Sequence, residues 1–306
     1  MTPRVTRRAL LAGFVGLAAG AAHAGNDAFA LTGQPVQGGW LRGRVPAGTT
    51  ILHLDDSEVR FAADGAFLIA FDRDSGASAT LAAQTAGGTV RQAVAISPRG
   101  WRIEHVDTPM HPPGMPDAEF ARRRSGELAQ IKAARARVSD AQGWRQTMIR
   151  PANGPFSGRF GAQRVFRGVA AAYHSGLDIA APAGATICAP ADGTVVLAVT
   201  GEPFTLEGHL VMLDHGMGLN SAMLHARALA VSEGMAVRQG QPIGEVGMTG
   251  RATGPHLHWS LAWHGRRLDP LLFLAWRVRN KKVPPGLAGR HSHGLDEVQN
   301  FAVTPA

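Results

Sequence analysis

The sequence predicts a mostly β protein, with two β modules joined by a helical linker. Three observations carry this expectation. Apolar runs of strand length recur between turn signals, glycine is abundant at 38 residues, and only one long stretch has a helical pattern. Hydrophobic residues make up 45% of the 306-residue chain and charged residues 18%, which supports packed cores and excludes general disorder.

The first element is not part of a fold. Arg4, Arg7 and Arg8 precede an apolar stretch from Ala9 to Ala22, and Ala22-His23-Ala24 offers a small-residue cleavage site. Residues 1–24 therefore read as an export signal peptide. The apolar stretch falls short of the roughly 20 residues that span a bilayer, so cleavage is expected, with no stable membrane insertion after it. Thr6-Arg7-Arg8-Ala9-Leu10-Leu11 is similar to a twin-arginine signal, and the general secretory route fits as well. The mature chain is expected outside the cytoplasm, in the periplasm.

Removing the three leader arginines from the net charge of +8 leaves +5. A modestly basic exported chain suits an acidic polymer such as cell wall, or an anionic surface. The basic residues are scattered without interleaved aromatics, so no nucleic-acid partner is expected. Cys188 is the only cysteine, which excludes an intramolecular disulfide, and its apolar neighbours predict a buried structural thiol. Nothing in the composition sets an oligomeric state.

Residues 25–108 read as a small β domain. Val59-Arg60-Phe61-Ala62 and Ala66-Phe67-Leu68-Ile69-Ala70-Phe71 flank Asp64-Gly65, which predicts a hairpin. Residues 109–149 form a linker: four prolines between 109 and 116, then a helix over 117–137 that Asp117 can cap. Arg122-Arg123-Arg124 is expected on its solvated face. Residues 150–279 form the second β domain, with strands over 193–199, 209–214, 219–225, 243–246 and 258–263 between turns such as Asp192-Gly193 and His215-Gly216. Residues 280–306 are polar and rich in glycine and proline, and are expected to be disordered.

The chemistry sits in the second domain. His256-Leu-His258 precedes the strand Trp259-Ser-Leu-Ala-Trp263, and residues i and i+2 of a strand share a face, so both imidazoles project together. In a chain with 13 histidines about half a His-x-His pair arises by chance, and His291-Ser-His293 in the tail is read as such a chance pair. His174-Ser-Gly-Leu-Asp178 supplies an imidazole and a carboxylate, and a turn at Ser175-Gly176 can fold one back on the other. Together the two strings can hold one zinc ion through three side chains and leave a histidine beside it, the pattern of a catalytic rather than a closed structural site. His225 ends the apolar run Ala222-Met-Leu224, on or just after a strand. His209, His215 and His264 lie by turns and are read as surface residues.

The order of these strings resembles the lysostaphin-type zinc endopeptidases, which cut peptide cross-links or bridges of bacterial peptidoglycan. The resemblance rests on Ser157-Gly-Arg-Phe-Gly161 with Arg164, His174-Ser-Gly-Leu-Asp178, Ala189-Pro-Ala-Asp-Gly193, Leu213-Asp-His-Gly216, Leu224-His225, Gly240 to Gly247, Thr249-Gly250, Thr253-Gly-Pro-His-Leu-His258 and Leu268-Asp-Pro270. It covers residues 155–275. It implies a two-layered antiparallel β fold of the duplicated hybrid motif type, one zinc ion per chain held by His174, Asp178 and His258, and His225 and His256 as the catalytic histidines. Peptidoglycan peptide stems are the implied partner. One departure is visible: many relatives carry tyrosine where Met223 stands, which removes a possible polar contact with substrate.

The expected function is hydrolysis of peptidoglycan peptide cross-links. The alternative is a catalytically inactive relative that binds cell wall or regulates another hydrolase, but all five site positions are filled. A secreted zinc protease of ordinary proteins is a third reading. A direct D-alanine to diamino-acid cross-link is expected over a glycine bridge.

Overall fold

The computed structural model describes residues 29–106, 117–166 and 168–274. The leader, the Pro-rich segment at 109–116, the tail and the His291-Ser-His293 pair lie outside the described residues.

Eight strands precede the helix: β1 (Ala30–Gln34), β2 (Trp40–Arg44), β3 (Ile51–Leu54), β4 (Ser57–Val59), β5 (Ala66–Ala70), β6 (Ser78–Thr85), β7 (Gly88–Ala95) and β8 (Ile103–Val106). The first seven build two small antiparallel sheets, in the orders β1-β2-β5 and β4-β3-β6-β7. Leu52, Leu54, Phe67, Ile69 and Leu81 are fully buried at their centre. The turn at Asp64-Gly65 forms, with the amide of Gly65 donating to Ala62, but its flanks do not make the expected hairpin ladder. A single bridge, Phe61 to Phe67, joins them. Beyond it β4 pairs with β3, while β5 pairs with β2. Phe67, Leu68, Ile69 and Ala70 are all buried, so β5 has core on both faces and is drawn away from the polar Ser57–Val59 strand.

The helix α1 runs over Asp117–Ala136. Twelve strands follow: β9 (Phe156–Gly158), β10 (Gln163–Phe166), β11 (Val169–Ala170), β12 (Leu177–Ala180), β13 (Thr186–Cys188), β14 (Gly193–Ala198), β15 (His209–Asp214), β16 (Leu219–Leu229), β17 (Ala236–Val237), β18 (Pro242–Val246), β19 (His256–Trp263) and β20 (Arg266–Leu268). The five strands expected from the sequence are thus present. Ten strands form one antiparallel sheet, in the order β17-β14-β15-β16-β19-β12-β9, with β18, β13 and β20 joined at its sides. The long β16 makes it two-layered. It pairs with β19 as far as Leu224, and from Ala226 onward with β18. His225 stands at the change of partner with φ +66°. β10 lies apart, between β11 and a parallel β8.

Alternation fixes which side chains face out. In β12, Leu177 and Ile179 are fully buried and Asp178 lies on the other face. In β19, Leu257, Trp259 and Leu261 fill the same core, so His256, His258 and Ser260 share the opposite face. Met223 is fully buried opposite Trp259. That position therefore packs the core, and the substitution removes no contact from the site face.

The helix packs on the site face. Ile131 and Ala134 are buried against Val196, Leu210, Met212 and Ala222. Ala222 stands opposite Ser260, two residues along from His258. Of the three arginines expected in solvent, Arg122 and Arg123 are exposed. Arg124 is not. Its guanidinium spans both oxygens of Glu207 at 2.5 and 2.6 Å and touches Glu127 at 3.0 Å. Glu127 in turn accepts from the amide and hydroxyl of Thr205. A bidentate pair satisfies a half-buried cation that solvent reaches only in part.

Two other expectations are corrected. His215 is fully buried rather than at the surface; its Nδ1 donates to the Asp192 carbonyl at 2.8 Å and its Nε2 meets the Ser221 hydroxyl at 2.7 Å. Both ring nitrogens are satisfied, which permits the burial. Cys188 is half-buried, and burial raises its thiol pKa, so it stays protonated.

Asp214 pins the segment after the helix. It is fully buried and accepts from the amide and hydroxyl of Ser139, the amide of Gly216 and the side chain of Asn220. Replacing it with alanine strands four donors. Asp214→Ala is expected to lower stability by about 3–5 kcal/mol in urea unfolding, with a smaller loss for Asp214→Asn.

Candidate metal centre

The register of β12 against β19 places Asp178 directly opposite His258. Opposed residues in an antiparallel ladder project to the same side, so the carboxylate and imidazole meet above the sheet. Asp178 Oδ1 lies 2.9 Å from His258 Nδ1. The turn before β12 brings His174 back, with Nε2 at 3.0 Å from both Asp178 Oδ1 and His258 Nδ1. Among the described residues these three form the one cluster of histidine, cysteine or carboxylate groups able to hold a metal ion. β9 closes in on the other side. A Cβ on Gly158 would run into the Asp178 carboxylate, so glycine there leaves the acid its room.

The donor set fits zinc. Two imidazole nitrogens and one carboxylate oxygen converge, and donors on a tetrahedral zinc at about 2.1 Å stand about 3.4 Å apart. The three atoms lie slightly inside that spacing, drawn together by hydrogen bonds. The tautomer of His174 also fits. Its Nδ1 is 3.0 Å from the Arg159 carbonyl, which can only accept, so the neutral ring holds its proton on Nδ1, and Nε2, on giving up the proton it shares with Asp178, offers its lone pair to a metal.

His256 and His225 stand beside this cluster. His256 Nε2 is 3.9 Å from Asp178 Oδ1, and its Nδ1 donates to the Gly254 carbonyl at 2.8 Å. The rings of His225 and His256 are 4.8 Å apart, and those of His225 and His258 6.2 Å. His225 Nδ1 donates to the Thr249 carbonyl at 2.8 Å. Thr249 is held by its own hydroxyl, which donates to Ala226 and accepts from the amide of His209. The His225 amide donates to the Glu207 carbonyl, tying it to the residue that Arg124 grips. All five residues singled out by sequence therefore meet in one place. The groups that sequence reasoning missed are the carbonyls of Arg159, Thr249 and Gly254. Main-chain groups have no side-chain signature, although each lies in one of the motif strings above.

The electrostatics separate the five. Burial raises the Asp178 pKa, but hydrogen bonds from His174 and His258 outweigh it and hold the acid far below the usual carboxylate range. Burial acts to lower the His174 pKa, yet its bond to Asp178 and that anion's charge carry it above the ordinary value. His258 goes the other way: burial lowers it, and the pull of Asp178 does not restore it. His225 is pushed down to about 4, by burial first and then by the neighbouring His256 and His258, against the opposing bond to Thr249. The result is an ionised acid at the centre and a neutral imidazole at the rim.

Comparison with known proteins finds relatives of this part of the chain. Residues 172–270 match the model of peptidase family M23. The chain is 38% identical over 122 residues to the peptidoglycan DD-endopeptidase ShyA of Vibrio cholerae, covering 39% of this chain and 28% of that protein. It is 39% identical over 98 residues to the DD-carboxypeptidase/endopeptidase Mpg of Neisseria meningitidis, covering 32% of this chain and 22% of that one. The chain thus spans about a quarter of the length of these curated relatives. A crystal structure assigned to peptidase M23 from Pseudomonas aeruginosa superposes with a TM-score of 0.59 at 28% identity, over 78% of this chain and 94% of that one. With its His174, Asp178 and His258 cluster and its two-layered sheet, the segment at 172–270 is a peptidase M23 domain of the lysostaphin-type family.

Proposed function

We propose that this chain is a zinc-dependent endopeptidase that hydrolyses peptide cross-links of bacterial peptidoglycan. The observation that carries the reading is the joint placement of a three-donor cluster and two further imidazoles around one point. An inactive binding module has no need of both. The name of the Vibrio cholerae relative, a peptidoglycan DD-endopeptidase, supports peptidoglycan as the substrate, and the DD designation that it shares with the Neisseria relative favours a direct cross-link between D-alanine and a diamino acid. The leader at residues 1–24 and the net charge of +5 after its removal fit work in the periplasm.

His174 Nε2, Asp178 Oδ1 and His258 Nδ1 would hold the ion. Bound there with an open position, zinc supplies Lewis acidity and a water whose pKa falls towards roughly 7. The rest belongs to the chain. Nδ1 of His225 and of His256 is occupied by a main-chain carbonyl, which leaves Nε2 of each ring for proton transfer. One ring takes the water proton on Nε2 and hands that same proton to the leaving amine, and the other, where it enters the reaction protonated from solvent, donates from Nε2 to the developing oxyanion. The two rings are 4.8 Å apart, close enough to serve one scissile bond. Glu207, whose carbonyl holds the His225 amide, has both carboxylate oxygens committed to Arg124 and is not free for the base role.

Zinc content and muropeptide release from purified sacculi test this reading. His174→Ala, Asp178→Ala and His258→Ala should lose the metal and all release. His225→Ala and His256→Ala should keep the metal and lose about 10²–10⁴-fold in rate. Zinc-loaded protein that releases nothing would sink the proposal, and metal lost from His256→Ala but kept by His258→Ala would reverse the roles within that pair.

A second test concerns the charge of His225. In the metal-free protein its imidazole should titrate near pH 4, as followed by nuclear magnetic resonance, and stay neutral at pH 6. A midpoint at the ordinary value near 6.5 would contradict the environment described for it.

A further inference from the structure

Arg73 lies between β5 and β6, only 6% exposed. Its nearest carboxylate, Asp74 at 2.7 Å, points to solvent with 64% of its side chain exposed. The guanidinium spends its other donors on a distant stretch of chain. Nε and Nη2 both donate to the Gly161 carbonyl, at 3.2 and 3.1 Å, and Nη2 also reaches Gln163 Oε1 at 3.3 Å. Aromatic rings enclose it, with Tyr173 4.6 Å and Trp101 5.2 Å from its carbon. A buried cation that directs two donors at one carbonyl fixes that carbonyl in position.

The gripped peptide belongs to the 159–162 turn, which is hydrogen-bonded to the segment that carries His174. The Gly161 amide donates to the His174 carbonyl, and the His174 amide donates to Ala162, at 2.9 and 2.7 Å. Two residues earlier, the Arg159 carbonyl takes the His174 Nδ1 proton. Residues 159–162 thus make three of the contacts that orient His174 from outside the cluster. Gly161 has φ +83°, and a Cβ there would strike the Trp101 ring, so the turn is moulded directly against residues that precede the helix. Gln163 closes the arrangement by donating to the Ala171 carbonyl at 2.7 Å.

We propose that Arg73 is a positioning residue for the metal centre. By holding the Gly161 carbonyl it sets the 159–162 turn, and through that turn the tautomer and angle of His174. The strands before the helix then complete the ion site rather than merely preceding it. This rests on the reading of His174 as a zinc ligand.

The test uses the full chain and zinc alone, with affinity measured by competition against a chromogenic chelator. Cobalt(II) spectra report the ligand geometry, and melting of the metal-free protein reports the fold. Arg73→Met should weaken zinc binding by about tenfold or more, in line with other partners of metal-bound histidines, and shift the cobalt bands. Arg73→Lys keeps one donor and should fall between. Arg99→Met is the control. It cuts the 2.8 Å bridge to Asp269 and the 4.7 Å stacking on Trp101, but leaves every Arg73 donor on Gly161 in place, and should leave zinc affinity within about twofold. Wild-type affinity and an unshifted cobalt spectrum in Arg73→Met would overturn the proposal, as would an equal loss in Arg99→Met. If Arg73→Met fails to fold, Arg73→Lys decides by the same two readouts. Zinc-loaded wild-type protein that cleaves no peptidoglycan would defeat the peptidase reading and leave this one standing.

Discussion

Asp178 and His258 face each other across two antiparallel strands, and the remaining site geometry depends on that register. A slip of one residue would turn Asp178 into the core and bring Leu177 or Ile179 out. The core prevents it. Leu177, Ile179, Leu257, Trp259 and Leu261 are all fully buried on the inner face, so burial of their apolar surface locks the polar residues onto the outer one. His174 then needs only a short turn to reach the same point, and His256 gains its place two residues from His258 at no further cost. The energy that arranges the donors is spent in the hydrophobic core and not on the donors themselves.

Backbone carbonyls finish what the register begins. Arg159, Thr249 and Gly254 each take the Nδ1 proton of one histidine, so three rings present Nε2 to the same space. A carbonyl accepts and cannot donate, which makes this choice of tautomer independent of pH until the ring itself protonates. The loops that supply these carbonyls are anchored in turn: Thr249 by its hydroxyl, Arg159 by the turn that Arg73 grips.

How much of this could be read from the sequence follows from how far each contact reaches along the chain. The alternation in His256–Trp263 is local, and it correctly put both imidazoles on one face. The five strands of the second half were legible for the same reason. Register was not, because nothing within either strand says that residue 178 stands opposite residue 258. The family resemblance carried that step. Arg124 was misread because a charge run normally faces water, and its partner Glu207 is 83 residues away. His215 was misread because the turn beside it hides a ring with both nitrogens satisfied. The failed ladder at Asp64-Gly65 has a related cause: the turn chemistry was right, but burial of both faces of β5 overrode the local pairing.

His225 sits in the left-handed region at φ +66°, a conformation that costs a residue with a Cβ about 1–2 kcal/mol. Glycine would relieve that cost and keep the bend by which β16 passes from one layer to the other. On backbone conformation alone the imidazole is a burden at this position. The backbone strain at position 225 is therefore set directly against the imidazole that the proposed chemistry uses, so durability and turnover would move in opposite directions there.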